Sequence, residues 1–207
     1  MAPQNSPSLY LASQSPRRRE LLQQIGVSFQ TINASVIEVP RRQEIPQDYV
    51  LRLAREKADA GLAALKRLQL PAKPVLGADT IVVIGDEILE KPRNPEEAAV
   101  MLRKLAGNTH QVMTAVAMVT EDQQQTKLSV TDVIFRALTE DEIKRYCQTG
   151  EPLDKAGSYA IQGLGAVFVQ QIRGSYTGVV GLPIEQTVLL LREFSVPWWH
   201  IDESQPS

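Results

Sequence analysis

The chain has 207 residues, 43% of them hydrophobic and 22% charged, with a formal net charge of −2 at pH 7. That length suits one domain with a substantial core, and the near-neutral balance excludes the broad basic field of a sequence-independent nucleic-acid or anionic-membrane binder. The single cysteine, Cys147, excludes an internal disulfide and a cysteine-cluster metal site, and its simplest reading is a small half-buried helix residue in a reducing compartment.

Met1 to Ser8 lacks the basic start and apolar run of a signal peptide, and no segment approaches the apolar length of a membrane-spanning helix. The expectation is a cytoplasmic protein with one domain over residues 9–195 and frayed ends at 1–8 and 200–207, Trp198 and Trp199 being placed to pin the tail.

Leu9 to Ala12 reads as a short apolar strand running through Ser13-Gln-Ser15 into a helix that begins at Pro16. Ser15 is a candidate N-cap and Pro16 a first helical residue, because proline's fixed φ suits that position and its missing N–H would be unbonded there. Leu21, Leu22 and Ile25 face inward, and Gly26 ends the helix. Arg17, Arg18 and Arg19 stand at the positive end of the helix dipole, where they repel one another and the unpaired N–H groups. A polyphosphate would neutralise them, since helix N–H groups, the Ser13 and Ser15 hydroxyls and arginine forks all match phosphate oxygens. The plainer alternative is a solvated basic turn balanced by nearby carboxylates.

Val27 to Ile32 alternates and predicts the second strand of a strand–helix–strand unit, followed by a loop with Glu38 and Pro40-Arg-Arg42. Pro46 opens a long helix from about Gln47 to Lys66, with Val50, Leu53, Ala54, Lys57, Gly61 and Ala64 on one stripe. Lys57 on that apolar face either snorkels to the edge of the core or meets an anion in a cleft. Pro74 to Ile84 predicts a central strand, apolar on both faces, turned by Gly85-Asp86 into Ile88-Leu89. Asp79 interrupts it, and a buried aspartate is costly unless paired or bound to metal. Gly77 and Ala78 are expected to leave room for a ligand beside it, with an ion pair to Lys57 as the structural alternative.

Asn94, Pro95 and Glu97 predict a capping box opening a helix that buries Ala98, Met101, Leu102 and Leu105 and stops at Gly107. Thr109–Val119 and Thr126–Phe135 follow as strands around a polar turn from Glu121 to Gln125, with His110 structural rather than a base. Thr139 to Glu142 caps another helix, Leu138 and Ile143 forming a staple and Gly150 lying beyond its end. Asp154 to Gly165 reads as a glycine-rich binding loop, in which Lys155 brings a cation and Gln162 an amide that both donates and accepts. The alternative is a flexible connector; its glycines match neither a dinucleotide nor a Walker spacing. A strand from Val167 to Ile172 and a last helix burying Ile184, Val188 and Leu191 complete the chain.

Ser13-Gln-Ser15-Pro-Arg17-Arg18, Leu76-Gly-Ala-Asp79-Thr80, Glu90-Lys91-Pro92, Asp154-Lys155-Ala-Gly157 and Val180-Gly-Leu-Pro183, in that order between about Leu9 and Leu191, resemble the Maf family of nucleoside triphosphate pyrophosphatases. Within it they look most like the YhdE-type branch, the dTTP/UTP pyrophosphatases. The resemblance implies an α/β fold, an elongated mixed β-sheet flanked by helices with two lobes around a central cleft, similar to the inosine triphosphate pyrophosphatases. It also implies a divalent metal cation, Mg²⁺ or Mn²⁺, and often a homodimer. Carried over residue by residue, Asp79 is the proton acceptor, Ser13, Arg17, Arg18, Lys57 and Lys91 contact phosphates, and Glu38 assists at the metal beside Asp79. Many relatives carry a second acidic residue beside the position of Glu38, where this chain has Ile37 and Val39. The branch that hydrolyses 7-methyl-GTP tends to carry Trp, Gln and Glu where this chain has Arg17, Thr80 and Gln162.

Residues and resemblance agree on a reaction. Water attacks the α-phosphorus of a nucleoside triphosphate, the cationic side chains hold the leaving pyrophosphate, and Asp79 takes the proton. The Gln162 amide can pair with the imide edge of thymine or uracil, and the small Thr80 leaves space for its hydroxyl to bond sugar or base. No Ser–His–Asp or Cys–His set is organised for acyl or thiol chemistry. The alternatives are a non-catalytic nucleotide-binding regulator linked to cell division, for which a central carboxylate is unfavourable, and a 7-methyl-GTP pyrophosphatase. An RNA-processing factor would need a basic stripe or an aromatic platform. The expected partner is thus a nucleoside triphosphate, with no nucleic acid and no membrane.

Overall fold

A computed structural model describes residues 6–199, so of the frayed ends expected at 1–8 and 200–207, residues 1–5 and 200–207 lie outside the described residues. Ser8, counted with the leader, is already tied down, its N–H donating to Ser28 O at 2.9 Å. In chain order the elements are β1 (Leu9–Ala12), α1 (Pro16–Gln24), β2 (Phe29–Thr31), α2 (Pro46–Arg67), β3 (Val75–Ile84), β4 (Glu87–Leu89) and α3 (Pro95–Leu105). Then come β5 (Thr109–Val119), β6 (Gln124–Phe135), α4 (Glu140–Gln148), three short 3₁₀ turns between 151 and 168, β7 (Val169–Arg173), α5 (Tyr176–Val180) and α6 (Ile184–Glu193).

One seven-stranded mixed sheet runs in the order β2-β1-β3-β5-β6-β7, with β4 also paired to β3. β5 covers one edge of β3 from Val75 to Val83. On the other edge the parallel strand β1 stops opposite Gly77, and the antiparallel strand β4 begins only at Val82. That gap is where the sheet opens, and Asp79 and Thr80 stand in it.

Strand alternation then decides where each side chain goes. Val75, Ile81 and Val83 join the core beneath α2, with Leu53, Ala54 and Ala58, whereas Leu76 and Ala78 join the opposite core with Leu21, Leu22, Leu190 and Leu191. A third cluster, built from Leu102, Val133, Phe135 and Ile143, fills the far end of the sheet under α3 and α4. By the same alternation Asp79 points toward α2 and Thr80 away from it. Small residues let α2 press onto the strand: a Cβ on Gly77 would lie 2.4 Å from Ala54 O and 2.5 Å from Ala58 N. The space beside Gly77 is therefore filled by helix backbone, which corrects the expectation that it makes room for a ligand.

Several boundaries differ from the sequence reading for local reasons. β2 starts at Phe29 because α1 ends in a Schellman turn, with Gly26 at φ +66 and the Val27 N–H donating to Leu22 O at 3.1 Å. The β5–β6 turn is tighter than expected, Thr120 N–H donating to Gln123 O at 2.8 Å. Val167 and Phe168 close a 3₁₀ turn rather than opening β7. At α3 only half a capping box forms: Asn94 Oδ1 accepts the Glu97 N–H at 2.8 Å, but the Glu97 carboxylate takes the N–H of Arg93, one residue early. The box at Thr139 and Glu142 is complete. Cys147 is buried rather than half-buried, and burial raises its thiol pKa. Trp198 packs on the core beside α6, whereas Trp199 is exposed and only its N–H is tied, to Ile25 O. No described helix is long and apolar enough to cross a membrane.

Candidate active site

A cleft of about 560 Å³ opens at the gap in the β3 edge, a size suited to a small-molecule ligand. Its walls come from the start of α1, the loop bearing Glu38, the middle of β3, Lys91, the segment from Asp154 to Gln162, and the turn from Val179 to Gly181. All the residues expected at a site (Ser13, Ser15, Arg17, Arg18, Glu38, Lys57, Asp79, Thr80, Lys91, Lys155 and Gln162) line this cleft.

At its centre the Lys57 ammonium lies 2.6 Å from Asp79 Oδ1 and 2.7 Å from Glu38 Oε1. Lys57 leaves the apolar stripe of α2 one turn beyond Leu53 and Ala54, and the close approach of helix and strand at Gly77 brings it to Asp79. Asp79 is thus ion-paired to Lys57 and at the same time lines the cleft. Burial pushes the Asp79 carboxyl above the usual carboxylate range, against the pull of Lys57 and Arg18. Glu38 goes the other way. Its partial burial is outweighed by the Lys57 hydrogen bond and by the charges of Lys57, Lys91 and Arg18, which hold it below the ordinary value. Two carboxylates at one cation are therefore pushed apart, and the raised one is the better proton acceptor.

The arginines of α1 separate by role. Arg19 is exposed, Arg17 is half-buried at the cleft wall, and Arg18 is locked in place. Arg18 donates from Nε to Gly181 O at 2.8 Å, from Nη1 to Ser13 Oγ at 3.1 Å and from Nη2 to Thr80 Oγ1 at 3.2 Å. Burial lowers its pKa, opposed by Asp79, but a guanidinium stays charged. One N–H on each terminal nitrogen is left over, the fork that matches two oxygens of a phosphate. Gly181 reaches Arg18 with its carbonyl from φ +126, a conformation that favours glycine.

Two side chains make contacts beyond those expected. The Thr80 hydroxyl, at the cleft wall, is already engaged within the protein. Thr114, paired with it across β3 and β5, lies 2.7 Å from Gly178 O and 3.0 Å from Thr80 Oγ1. A hydroxyl has one proton, so when Thr114 donates to Gly178, Thr80 donates to Thr114 and accepts from Arg18. Thr80 therefore positions Arg18. Ser15 sits at the N-cap of α1, but its hydroxyl makes no capping bond; instead its N–H donates to Ser13 Oγ at 3.2 Å. Thr114 escaped the sequence reading, the register opposite Thr80 being its only signal, and Gly181 stood in the Val180-to-Pro183 motif without a role of its own.

The segment after Asp154 is not a flexible connector. Gly157, at φ +69, would bring a Cβ within 2.8 Å of Val82, and Tyr159, Ala160 and Ile161 are buried. Lys155 pairs with the Asp154 carboxylate and donates to Glu151 O at 2.9 Å, so its charge is partly answered within the loop. Lys91 and Gln162 are both exposed and both line the cleft.

No three His, Cys, Asp or Glu side chains cluster as a metal cage among the described residues. Asp79 and Glu38 nonetheless each present a second carboxylate oxygen beyond the one on Lys57, a sparse hard-oxygen set. Mg²⁺ or Mn²⁺ fits such a set, because these ions commonly take one or two carboxylates and complete their shells with phosphate oxygens and water.

A family model described as Maf-like protein matches residues 8–194. A dTTP/UTP pyrophosphatase of Saccharophagus degradans is 57% identical over 195 residues, 94% of this chain and 92% of that protein. A dTTP/UTP pyrophosphatase of Escherichia coli O157:H7 is 57% identical over 188 residues, covering 91% of this chain and 93% of its own. A nucleoside triphosphate pyrophosphatase of Shigella flexneri is 56% identical over the same shares of each chain.

Proposed function

This chain belongs to the Maf-like protein family, and we propose on that premise that it hydrolyses dTTP and UTP to the monophosphate and pyrophosphate. The observation that carries the reading is the buried Asp79 carboxylate, raised in pKa, facing the same cleft as the leftover N–H fork of Arg18. A pure anion-binding pocket would not keep a carboxylate there.

The triphosphate lies along the start of α1, where Ser13, Arg17 and the helix N–H groups meet its terminal phosphates and Arg18 grips the leaving pyrophosphate. Lys91, which lines the same cleft, adds a further cation for the phosphates. Asp79 accepts a proton from the water that attacks the α-phosphorus, and Lys57 keeps that carboxylate oriented while Glu38 stays ionised beside it. Bound at Asp79 and Glu38, Mg²⁺ or Mn²⁺ would neutralise phosphate charge and polarise the phosphoryl group. At the other end Gln162 offers thymine or uracil an acceptor for N3–H and a donor for a carbonyl, whereas cytosine has no N3–H and leaves one partner unsatisfied.

The test is pyrophosphate release from the standard nucleoside triphosphates and 7-methyl-GTP, with and without Mg²⁺ or Mn²⁺. Preference for dTTP and UTP, with Asp79→Asn slower by about 100-fold or more at unchanged fold, supports the reading. Near-parental turnover by Asp79→Asn overturns it.

A further inference from the structure

Gln162 stands at the tip of a bend whose two ends are held from outside the cleft. The Ala160 N–H donates to Tyr146 Oη at 3.2 Å, and Tyr146 Oη donates to Glu151 Oε1 at 2.7 Å. The same carboxylate accepts the Gly165 N–H on Oε1 and the Leu164 N–H on Oε2, both at 3.0 Å. Within the bend the Gly163 N–H donates to Ala160 O at 3.2 Å. Two side chains therefore bind backbone on both sides of Gln162.

The packing is as close as the hydrogen bonding. A Cβ on Gly163 would lie 2.3 Å from Glu151 Oε2, and one on Gly165 would lie 2.7 Å from Tyr146 Oη. These glycines let the bend wrap the carboxylate. Hydrogen bonds from Tyr146, Leu164 and Gly165 hold Glu151 below the ordinary carboxylate range despite its burial, while burial and Glu151 raise Tyr146. The carboxylate is thus ionised and the phenol protonated at neutral pH, the states in which every donor has its acceptor.

We propose that Tyr146 and Glu151 are positioning residues for base selection, fixing the 160–165 bend so that the Gln162 amide meets the pyrimidine edge in one orientation. This rests on the dTTP/UTP reading above. An amide that can swing satisfies cytosine nearly as well as thymine, because it can rotate to offer N3 a donor; selectivity needs the backbone beneath it held. The clamp touches no phosphate-binding side chain: Lys155 uses the Glu151 backbone carbonyl, which a side-chain change leaves in place.

Tyr146→Phe and Glu151→Gln test this. The first removes the hydroxyl that links Ala160 to Glu151, and the second sets an amide NH₂ against an N–H of the bend. The expected result is a fall of about fivefold or more in the ratio of kcat/KM for dTTP over dCTP, carried by KM. Inhibition by tripolyphosphate, which has no base, stays at the parental level. In a Gln162→Ala background neither change should lower the ratio further. An unchanged ratio overturns the proposal, as does an equal loss of tripolyphosphate inhibition, which would mark a general structural defect. If the parent itself does not discriminate dTTP from dCTP, the substrate reading fails; amide exchange at Leu164 and Gly165 then decides the clamp, faster exchange in both variants supporting it and parental exchange overturning it.

Discussion

Acid should destabilise this protein through His110. The side chain is 1% exposed, its Nε2 lies 2.8 Å from Tyr159 Oη, and Nδ1 has no partner among the described residues. The rings of Phe135 and Tyr159 pack edge-on against it, so an imidazolium there would have no water and no carboxylate. Burial lowers its pKa from 6.5 to about 4. The folded state therefore binds the proton less readily than the unfolded chain. The stability this represents is complete above 6.5 and is lost as the pH falls toward about 4. At a pH of about 5 the loss is about 2 kcal/mol, rising to about 3 kcal/mol below both pKa values. Urea unfolding at stepped pH, for the parent and for His110→Gln, isolates the effect, because the carboxylates titrate alike in both and cancel in the difference. Equal pH slopes for the two proteins would refute the assignment.

Arg18→Ala should weaken inhibition by pyrophosphate at least about tenfold, the scale of losing charge-assisted hydrogen bonds, while a peripheral Arg19→Ala leaves it unchanged; titration with inorganic pyrophosphate reads both. Gln162→Glu should lower kcat/KM for dTTP more than for 7-methyl-GTP, since a carboxylate cannot donate to a thymine carbonyl but can pair with a cationic base, and steady-state kinetics on the two nucleotides measures it. Glu44 ties the loop bearing Glu38 to α2 through Arg52, at 2.6 Å, and the Arg52 hydrogen bond lowers its pKa from 4.5 to about 2. The tie is intact above 4.5 and is lost as the pH falls toward about 2, so proteolytic nicking in residues 33–45 should rise across that window in the parent and be raised already at neutral pH in Glu44→Gln.

The sequence made the anchors of this site legible where a residue broke a local rule. Asp79 among valines, Lys57 on an apolar stripe and arginines at the wrong end of a helix are each locally unfavourable, and all three line one cleft. Helix starts were readable for the same local reason, as the complete box at Thr139 shows. What could not be read depends on contacts distant in the chain. Nothing near Thr80 in sequence reveals that Thr114 and Gly178 stand behind its hydroxyl. Gly77 looked like space because the helix that fills it lies about twenty residues earlier. For Asp154 to Gly165, read as a binding loop, the alternative of a flexible connector stayed open because its ordering comes from Val82, Tyr146 and Glu151, none of them inside it.

The pairing of Asp79 with Thr80 explains why the site occurs at this point of the sheet. Successive strand residues face opposite ways, so one of the pair meets Lys57 from α2 and the other meets Arg18 from α1. Elsewhere on β3 such a pair would be walled apart by neighbouring strands. Between Gly77 and Val82 one edge of β3 has no strand beside it, and groups from both faces can reach around that edge into a common space. The short β1 is thus as much a part of the site as the charged residues: a strand two residues longer would cover Asp79 at the edge. Register matters equally, since a slip of one residue would turn Asp79 toward Arg18 and Thr80 toward Lys57, taking the carboxylate from the lysine and placing it on the arginine fork meant for phosphate. The buried runs Val75–Leu76 and Ile81–Val83 on either side of the pair, packed in separate cores, hold that register.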